Sequence, residues 1–187
     1  SRGLGDVYKR QRKPVQSFAP EDVGSTDAEL LACATGEMAT AVCPPSRWYP
    51  KAMAPPMAAE SIGAGPFYLA DLVAEMSWPL GTDVGLVELA GGLGSPQACD
   101  GDGIDLVDML QPDHVVLVAA AGLGTLSNIG LAARALGDLA LIVHLNRFDS
   151  SDEVHTANKR WLLRHTPVPV TVDDDELTGA LFGATNT

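Results

Sequence analysis

Apolar positions along this chain switch repeatedly between continuous or two-residue patterns and a spacing near 3.6, the alternation that builds parallel strands joined by helices. Residues 26–35 read as a helix capped by Ser25 or Thr26, and residues 57–62 as a shorter one. Between them, residues 43–56 carry Pro44, Pro45, Pro50, Pro55 and Pro56 and read as a loop. Pro66 suits a first helical position, with Phe67, Leu69, Leu72, Val73 and Met76 following at helical spacing. Residues 83–89 form a predicted strand, 104–110 a short helix, and 114–120 a nearly all-apolar strand of the kind buried on both faces. A helix over 125–136, a buried strand over 139–145, a helix over 152–165 and a strand over 168–172 follow. A last short helix over 175–182 is capped by the acidic run 173–176. The pattern predicts an α/β fold, doubly wound, with a mainly parallel sheet and helices on both faces. No repeat or linker interrupts it, so residues 13–187 read as a single domain.

Charge sets the first dozen residues apart. Arg2, Lys9, Arg10, Arg12 and Lys13 supply five of the 12 basic residues against one acid, Asp6. The remainder has 7 basic and 23 acidic residues, a net charge of −16. Residues 1–12 also lack a hydrophobic pattern, and they read as a non-native or disordered tail; a native basic arm for an anionic partner is the alternative. The acidic body argues against nucleic acid or an anionic membrane surface as partner. An anionic cofactor would bind only where local dipoles and a metal overcome that field.

No apolar run approaches the ~18 residues of a membrane span, and a cytoplasmic protein is expected. Cys33, Cys43 and Cys99 are odd in number and have no C-x-x-C pair, which fits reduced structural thiols better than a disulfide or zinc framework. His114, His144, His155 and His165 show no metal-ligand spacing, and His114 and His144 are expected to be packed in or beside buried strands.

In doubly wound sheets ligands bind beyond the carboxyl ends of the strands. Four such positions stand out here: Lys13 to Ser17, Glu88 to Gly92, Ala121 to Thr125, and Asn146 to Phe148. Glu88 ends an apolar strand and precedes Ala90-Gly91-Gly92, a setting for Mg²⁺ beside phosphate, since Mg²⁺ needs only one or two carboxylates plus waters and phosphate oxygens. Asp27 opens a helix, where the dipole alone favours an acid. Lys13 precedes Pro14 on an extended exit and can present a point charge to a transferring phosphoryl group or a carbamate. The segment Gly122-Leu123-Gly124-Thr125-Leu126-Ser127 turns a strand into a helix whose free N–H groups favour an anion. Asn146 can both donate to and accept from an adenine edge, or simply end a strand.

The order of these motifs, KPVQS, Asp27, VELAGG, GLGTLS and Asn146, resembles the dethiobiotin synthetase family from Lys13 to the C-terminus. The resemblance implies a P-loop NTPase-like fold and a full-length ATP-dependent cyclo-ligase of biotin biosynthesis. It would close a cyclic urea from 7,8-diaminononanoate and CO₂ through a carbamate and a carbamic-phosphoric mixed anhydride. It also implies catalytic Lys13, a metal and nucleotide set of Asp27 and Glu88, and adenine recognition by Asn146. Ser17 and the Gly124, Thr125, Leu126, Ser127 turn would bind the diamino carboxylic acid, the turn acting across a homodimer interface. ATP is then the co-substrate and Mg²⁺ the metal. No G-x-x-x-x-G-K-[ST] loop occurs in the 187 residues. The expected piece is therefore one without the first strand, phosphate loop and first helix, some 30–40 residues of βαβ unit, and inactive by itself. Three positions depart from the family pattern: Leu89 in place of Gly, Phe18 in place of Gly, and Pro56 where relatives often carry His. Another phosphate-loop ATPase or amidotransferase-type ligase on the same fold would keep the acids and change the substrate turn. A non-catalytic paralogue acting as a binding module would account for Leu89 and the missing loop together.

Overall fold

A computed structural model describes residues 8–183, which divide into two compact units, one running to Leu110 and one from Gln111. In chain order the first unit contains β1 (Lys9–Arg12), β2 (Gln16–Ser17), α1 (Asp27–Thr35), α2 (Ala39–Val42), β3 (Trp48–Tyr49), α3 (Pro55–Ser61) and α4 (Leu69–Glu75). It continues with β4 (Val84–Val87), β5 (Pro96–Ala98), β6 (Gly101–Asp102) and α5 (Gly103–Leu110). The second unit contains β7 (Val115–Ala120), α6 (Thr125–Leu136), β8 (Leu141–Asn146), α7 (Glu153–His165), β9 (Val170–Thr171) and α8 (Asp174–Phe182).

The α/β alternation is present, but one doubly wound sheet is not what the described strands form. β1 pairs with β4 and β2 with β3, both parallel, β5 pairs with β6 antiparallel, and β7-β8-β9 make a three-stranded parallel sheet. Pro14 lies between β1 and β2 and has no N–H to donate to a ladder, so the chain changes strand partner there.

The tail assignment is corrected over Lys9–Arg12, which is a strand in register with Val84–Val87; residues 1–7 lie outside the described residues. Arg12 is 4% exposed. Its guanidinium pairs with Glu37 at 2.8 Å, donates to the Ser77 carbonyl at 2.8 Å and lies 4.9 Å from the Trp78 ring centroid. Arg12, one of the basic residues that suggested a tail, is thus a buried cation with three kinds of partner.

Two further expectations change. Pro66 stands outside α4, whose cap is Tyr68, with the Asp71 carboxylate accepting from the Tyr68 N–H at 2.9 Å. Phe67 leaves the helix pattern to stack on Tyr49, ring centroids 5.5 Å apart, in the core of the first unit. β7 is not buried on both faces: among the described residues it pairs with β8 only, and Val118 is 59% exposed. β8, between two strands, buries Leu141, Ile142, Val143 and Leu145. His114 is exposed, while His144 is half-buried with its Nδ1 2.9 Å from Thr171 Oγ1.

Helix ends follow the capping chemistry read from the residues. Thr26 caps α1, and the Glu29 carboxylate accepts from Thr26 Oγ1, Thr26 N–H and Gly24 N–H, bonds that hold its carboxyl below the ordinary value. Asp152 caps α7 by accepting from the Val154 and His155 N–H groups, and Asp173 caps α8 by accepting from Glu176 N–H at 2.8 Å. The first unit's core gathers Val15, Tyr49, Phe67, Leu69, Leu72 and Leu106 with small alanines, and a second cluster joins Ala28, Ala32, Val42 and Cys43. Burial pushes the Cys43 thiol up to about 12, so at neutral pH it is an unreactive apolar filler. Among the described residues no helix is long and apolar enough to cross a membrane.

Candidate active site

The register of β1 on β4 places Arg12 opposite Val87, so Lys13 and Glu88 leave adjacent parallel strands at the same end. The Glu88 N–H donates to the Arg12 carbonyl at 2.9 Å, and the Lys13 N–H donates to the Val42 carbonyl at 2.9 Å. α1 delivers Asp27 in its first turn, held by the Thr26 cap and by Gln16, whose Oε1 accepts from Ala28 N–H at 3.0 Å. The three side chains meet. Lys13 Nζ lies 2.7 Å from Asp27 Oδ2, 2.7 Å from Glu88 Oε1 and 2.9 Å from the Leu89 carbonyl oxygen.

Burial is uneven across this trio: the Lys13 side chain is 2% exposed and each carboxylate 51%. An ammonium has three donors, and all three have acceptors here, which is the condition for burying it. Each carboxylate keeps its second oxygen without a partner among the described residues. Formally the trio carries one excess negative charge on its open side. Two half-exposed carboxylates with free oxygens fit Mg²⁺, which retains waters and shares phosphate oxygens. Among the described residues no group of three or more His, Cys, Asp or Glu side chains is arranged to hold a metal, so a closed all-protein metal cage is not the geometry.

Beside the trio lies a pocket of about 190 Å³ lined by Ser17, Asp27, Met53, Ala54, Pro55, Ala90, Gly91 and Ser95. Ser17 Oγ donates to the Met53 carbonyl at 2.6 Å, so toward a ligand it offers lone pairs. Phe18 packs edge-on against Trp48, ring centroids 6.3 Å apart. Leu89 turns its side chain onto the first unit's core and toward Gly103, while its carbonyl faces Lys13. Bulk at position 89 is thus taken up by the core. Gly91 has φ +77, where a side chain would be strained, and a Cβ there would meet Ser95 Oγ at 2.9 Å.

In the second unit, β7 and β8 run parallel with Ala120 opposite Asn146, so the Ala121 to Thr125 turn and Asn146 share one end of that sheet. Gly124, φ +87, caps α6, which begins at Thr125. Thr125 is buried and its Oγ1 has no partner among the described residues, whereas Ser127 and Asn146 are exposed. Arg147 follows with φ 54, a left-handed conformation that costs a non-glycine residue roughly 1–3 kcal/mol and recurs at functional turns. Asn158 of α7 donates from Nδ2 to the Ala121 and Gly122 carbonyls at 2.9 and 3.0 Å. Asn158→Ala is expected to cost about 1–3 kcal/mol by leaving these carbonyls unmatched, measurable by urea unfolding.

Sequence reasoning named Lys13, Asp27 and Glu88, which the structure brings into contact, and Ser17, which lines the adjoining pocket. Gly124, Thr125, Leu126, Ser127 and Asn146 belong to the second unit. It missed Arg12, Gln16, Gln97 and Asn158, which hold backbone or charge behind these positions. A single amide side chain in a two- or three-residue strand or on a helix adds nothing to a hydrophobic period, and only the proximity of Gln16 and Gln97 to the named motifs hinted at them.

Parallel strands, intervening helices and an acid–lysine cluster at the carboxyl ends of paired strands define a mixed α/β protein of P-loop-like class. No protein-family profile matches the chain. It is 36% identical over 164 residues to the ATP-dependent dethiobiotin synthetase BioD of Haloferax mediterranei, covering 84% of this chain and 67% of that relative. The chain belongs to the dethiobiotin synthetase family.

Proposed function

We propose that the protein is an ATP- and Mg²⁺-dependent cyclo-ligase that makes dethiobiotin from 7,8-diaminononanoate and CO₂. The single observation that carries this reading is the Lys13–Asp27–Glu88 cluster at the paired strand ends, beside a pocket of mixed polarity. The name of the relative, an ATP-dependent dethiobiotin synthetase, agrees with it. One amine of the diamine takes up CO₂ as a carbamate, and a carbamate oxygen attacks the γ-phosphorus as ADP leaves. The second amine then attacks the carbamoyl carbon, inorganic phosphate departs, and the urea ring closes.

Lys13 neutralises the carbamate and phosphoryl oxygens as negative charge develops on them. Its three donors are held by Asp27, Glu88 and the Leu89 carbonyl, so to hydrogen-bond a substrate oxygen the ammonium exchanges one of these acceptors for it. Asp27 and Glu88 would hold Mg²⁺ through their free oxygens, and the ion would supply charge neutralisation at the β- and γ-phosphates. Ser17 accepts a hydrogen bond from substrate. The Gly124 to Ser127 turn receives the substrate carboxylate, in a homodimer from the neighbouring copy, and Asn146 reads adenine.

The test is a coupled ADP-release assay on the product of the complete gene, with ATP, Mg²⁺, bicarbonate and 7,8-diaminononanoate. ADP release that requires the diamine, and that falls by about 10²–10³ in Glu88→Gln, is the expected result. Release indifferent to the diamine would move the protein to another ligase or ATPase chemistry.

A further inference from the structure

We propose that Gln97 is a positioning residue for Lys13 and Glu88, acting through the backbone of Ala90. This deepens the reading of Lys13, Asp27 and Glu88 as one site and rests on it. Gln97 is fully buried, at 0% exposure. Its Oε1 accepts from the Ala90 N–H at 2.9 Å, and its Nε2 donates to the Ala90 carbonyl at 2.8 Å and the Ser95 carbonyl at 3.0 Å. One carboxamide thus grips both main-chain groups of a single residue.

The consequence follows from peptide planarity. The Ala90 N–H and the Leu89 C=O belong to the same rigid trans unit and point in opposite directions. Fixing the N–H from one side aims the carbonyl to the other, and that carbonyl is the third acceptor of Lys13 Nζ. Gln97 therefore sets the direction from which the ammonium is held, and it fixes the chain immediately after Glu88. The loop is closely packed at Gly103 too, where a Cβ would run into the Leu93 carbonyl oxygen. Ser95 Oγ accepts from Gly92 N–H at 3.1 Å in the same loop without touching the Leu89–Ala90 peptide, which makes it the natural control.

The experiment compares the whole chain with Gln97→Met, which keeps volume and removes the amide, with Gln97→Glu, which keeps the acceptor for Ala90 N–H, and with Ser95→Ala. Two quantities are read. One is the NMR signal and hydrogen exchange of the Lys13 ammonium. The other is the Mg²⁺ dissociation constant. Reactivity of the buried Cys43 thiol reports whether the first unit stays closed. Gln97→Met should speed Lys13 ammonium exchange and weaken Mg²⁺ by about tenfold or more, the usual penalty for losing a group that orients a ligand. Cys43 should remain protected, Gln97→Glu should recover much of the Lys13 signal, and Ser95→Ala should leave it unchanged. An unaltered Lys13 signal in Gln97→Met, or an equal change in Ser95→Ala, overturns the proposal. If Gln97→Met opens the unit and exposes Cys43, Gln97→Glu decides: a wild-type Lys13 signal supports positioning and a lost one overturns it. A wild-type chain that binds no Mg²⁺ would refute the metal reading alone, and the Lys13 signal would still judge Gln97.

Discussion

Replacing Arg12 with alanine is expected to lower the unfolding free energy by about 3–5 kcal/mol, the range for removing one member of a buried ion pair. The loss is large because the guanidinium satisfies several groups at once: the Glu37 carboxylate, the Ser77 carbonyl and the face of Trp78. Alanine leaves Glu37, whose side chain is 8% exposed, with the Gln11 N–H and the longer Arg10 pair at 3.8 Å, less compensation for its burial. Lys9→Ala, on the exposed part of the same strand, should stay within about 0.5 kcal/mol. Urea unfolding of the two variants beside wild type checks the contrast, and equal small losses would reduce Arg12 to a surface charge.

The same pair imposes a pH dependence with a definite sign. Burial pushes the Glu37 carboxyl upward, but the Gln11 N–H and the Arg12 guanidinium outweigh it, and the group is held below its ordinary value. A carboxyl depressed in the folded state contributes stability that is complete above the unfolded value of about 4.3 and is lost as pH falls through the lower folded one. The acid limb of the stability curve should therefore be shallower in Arg12→Ala than in wild type. An unchanged limb would assign that pH dependence to other carboxyls.

Lys13→Met is the second large effect, and it should separate charge neutralisation from metal holding. Methionine fills a similar volume, and the two carboxylates left without their cation are each 51% exposed, so water can solvate them and the variant should fold. Asp27 and Glu88 then face each other without a cation between them, and Mg²⁺ should bind at least as tightly as before. Diamine-dependent ADP release should nevertheless fall by about 10²–10³. Turnover and metal affinity lost together would make Lys13 a scaffold for the acids.

The legible part of the fold was the part with enough residues for a period to emerge. Residues 125–136 were expected as a helix and are α6, because Leu126, Ile129 and Leu136 recur at the helical spacing between Gly124 and Gly137. β1 was illegible for a physical reason: KRQR has no apolar residue, and it forms a strand because its partners lie more than 60 residues away in β4, Ser77 and Trp78. β2, β3 and β6 are two residues long and carry no alternation at all. The exposure of Val118 was hidden because an apolar run gives the same signal on a central strand and on an edge. For the site, Lys13, Asp27 and Glu88 were readable as chemistry beside turns, whereas Gln16 and Gln97 act on backbone groups whose positions only folding defines.

The short ladder between Lys9–Arg12 and Val84–Val87 also constrains the spelling of the gene in a way residue identity does not capture. Side chains alternate along a strand, so one inserted or deleted residue inside either segment would rotate everything downstream by half a turn. A residue inserted into Lys9–Arg12 ahead of Arg12 would put Arg12 on the face that Lys13 now holds, toward the acids, with every original letter still present. A library of single-codon insertions and deletions should thus show two narrow intolerant windows, at Lys9–Arg12 and Val84–Val87, a length code written in register.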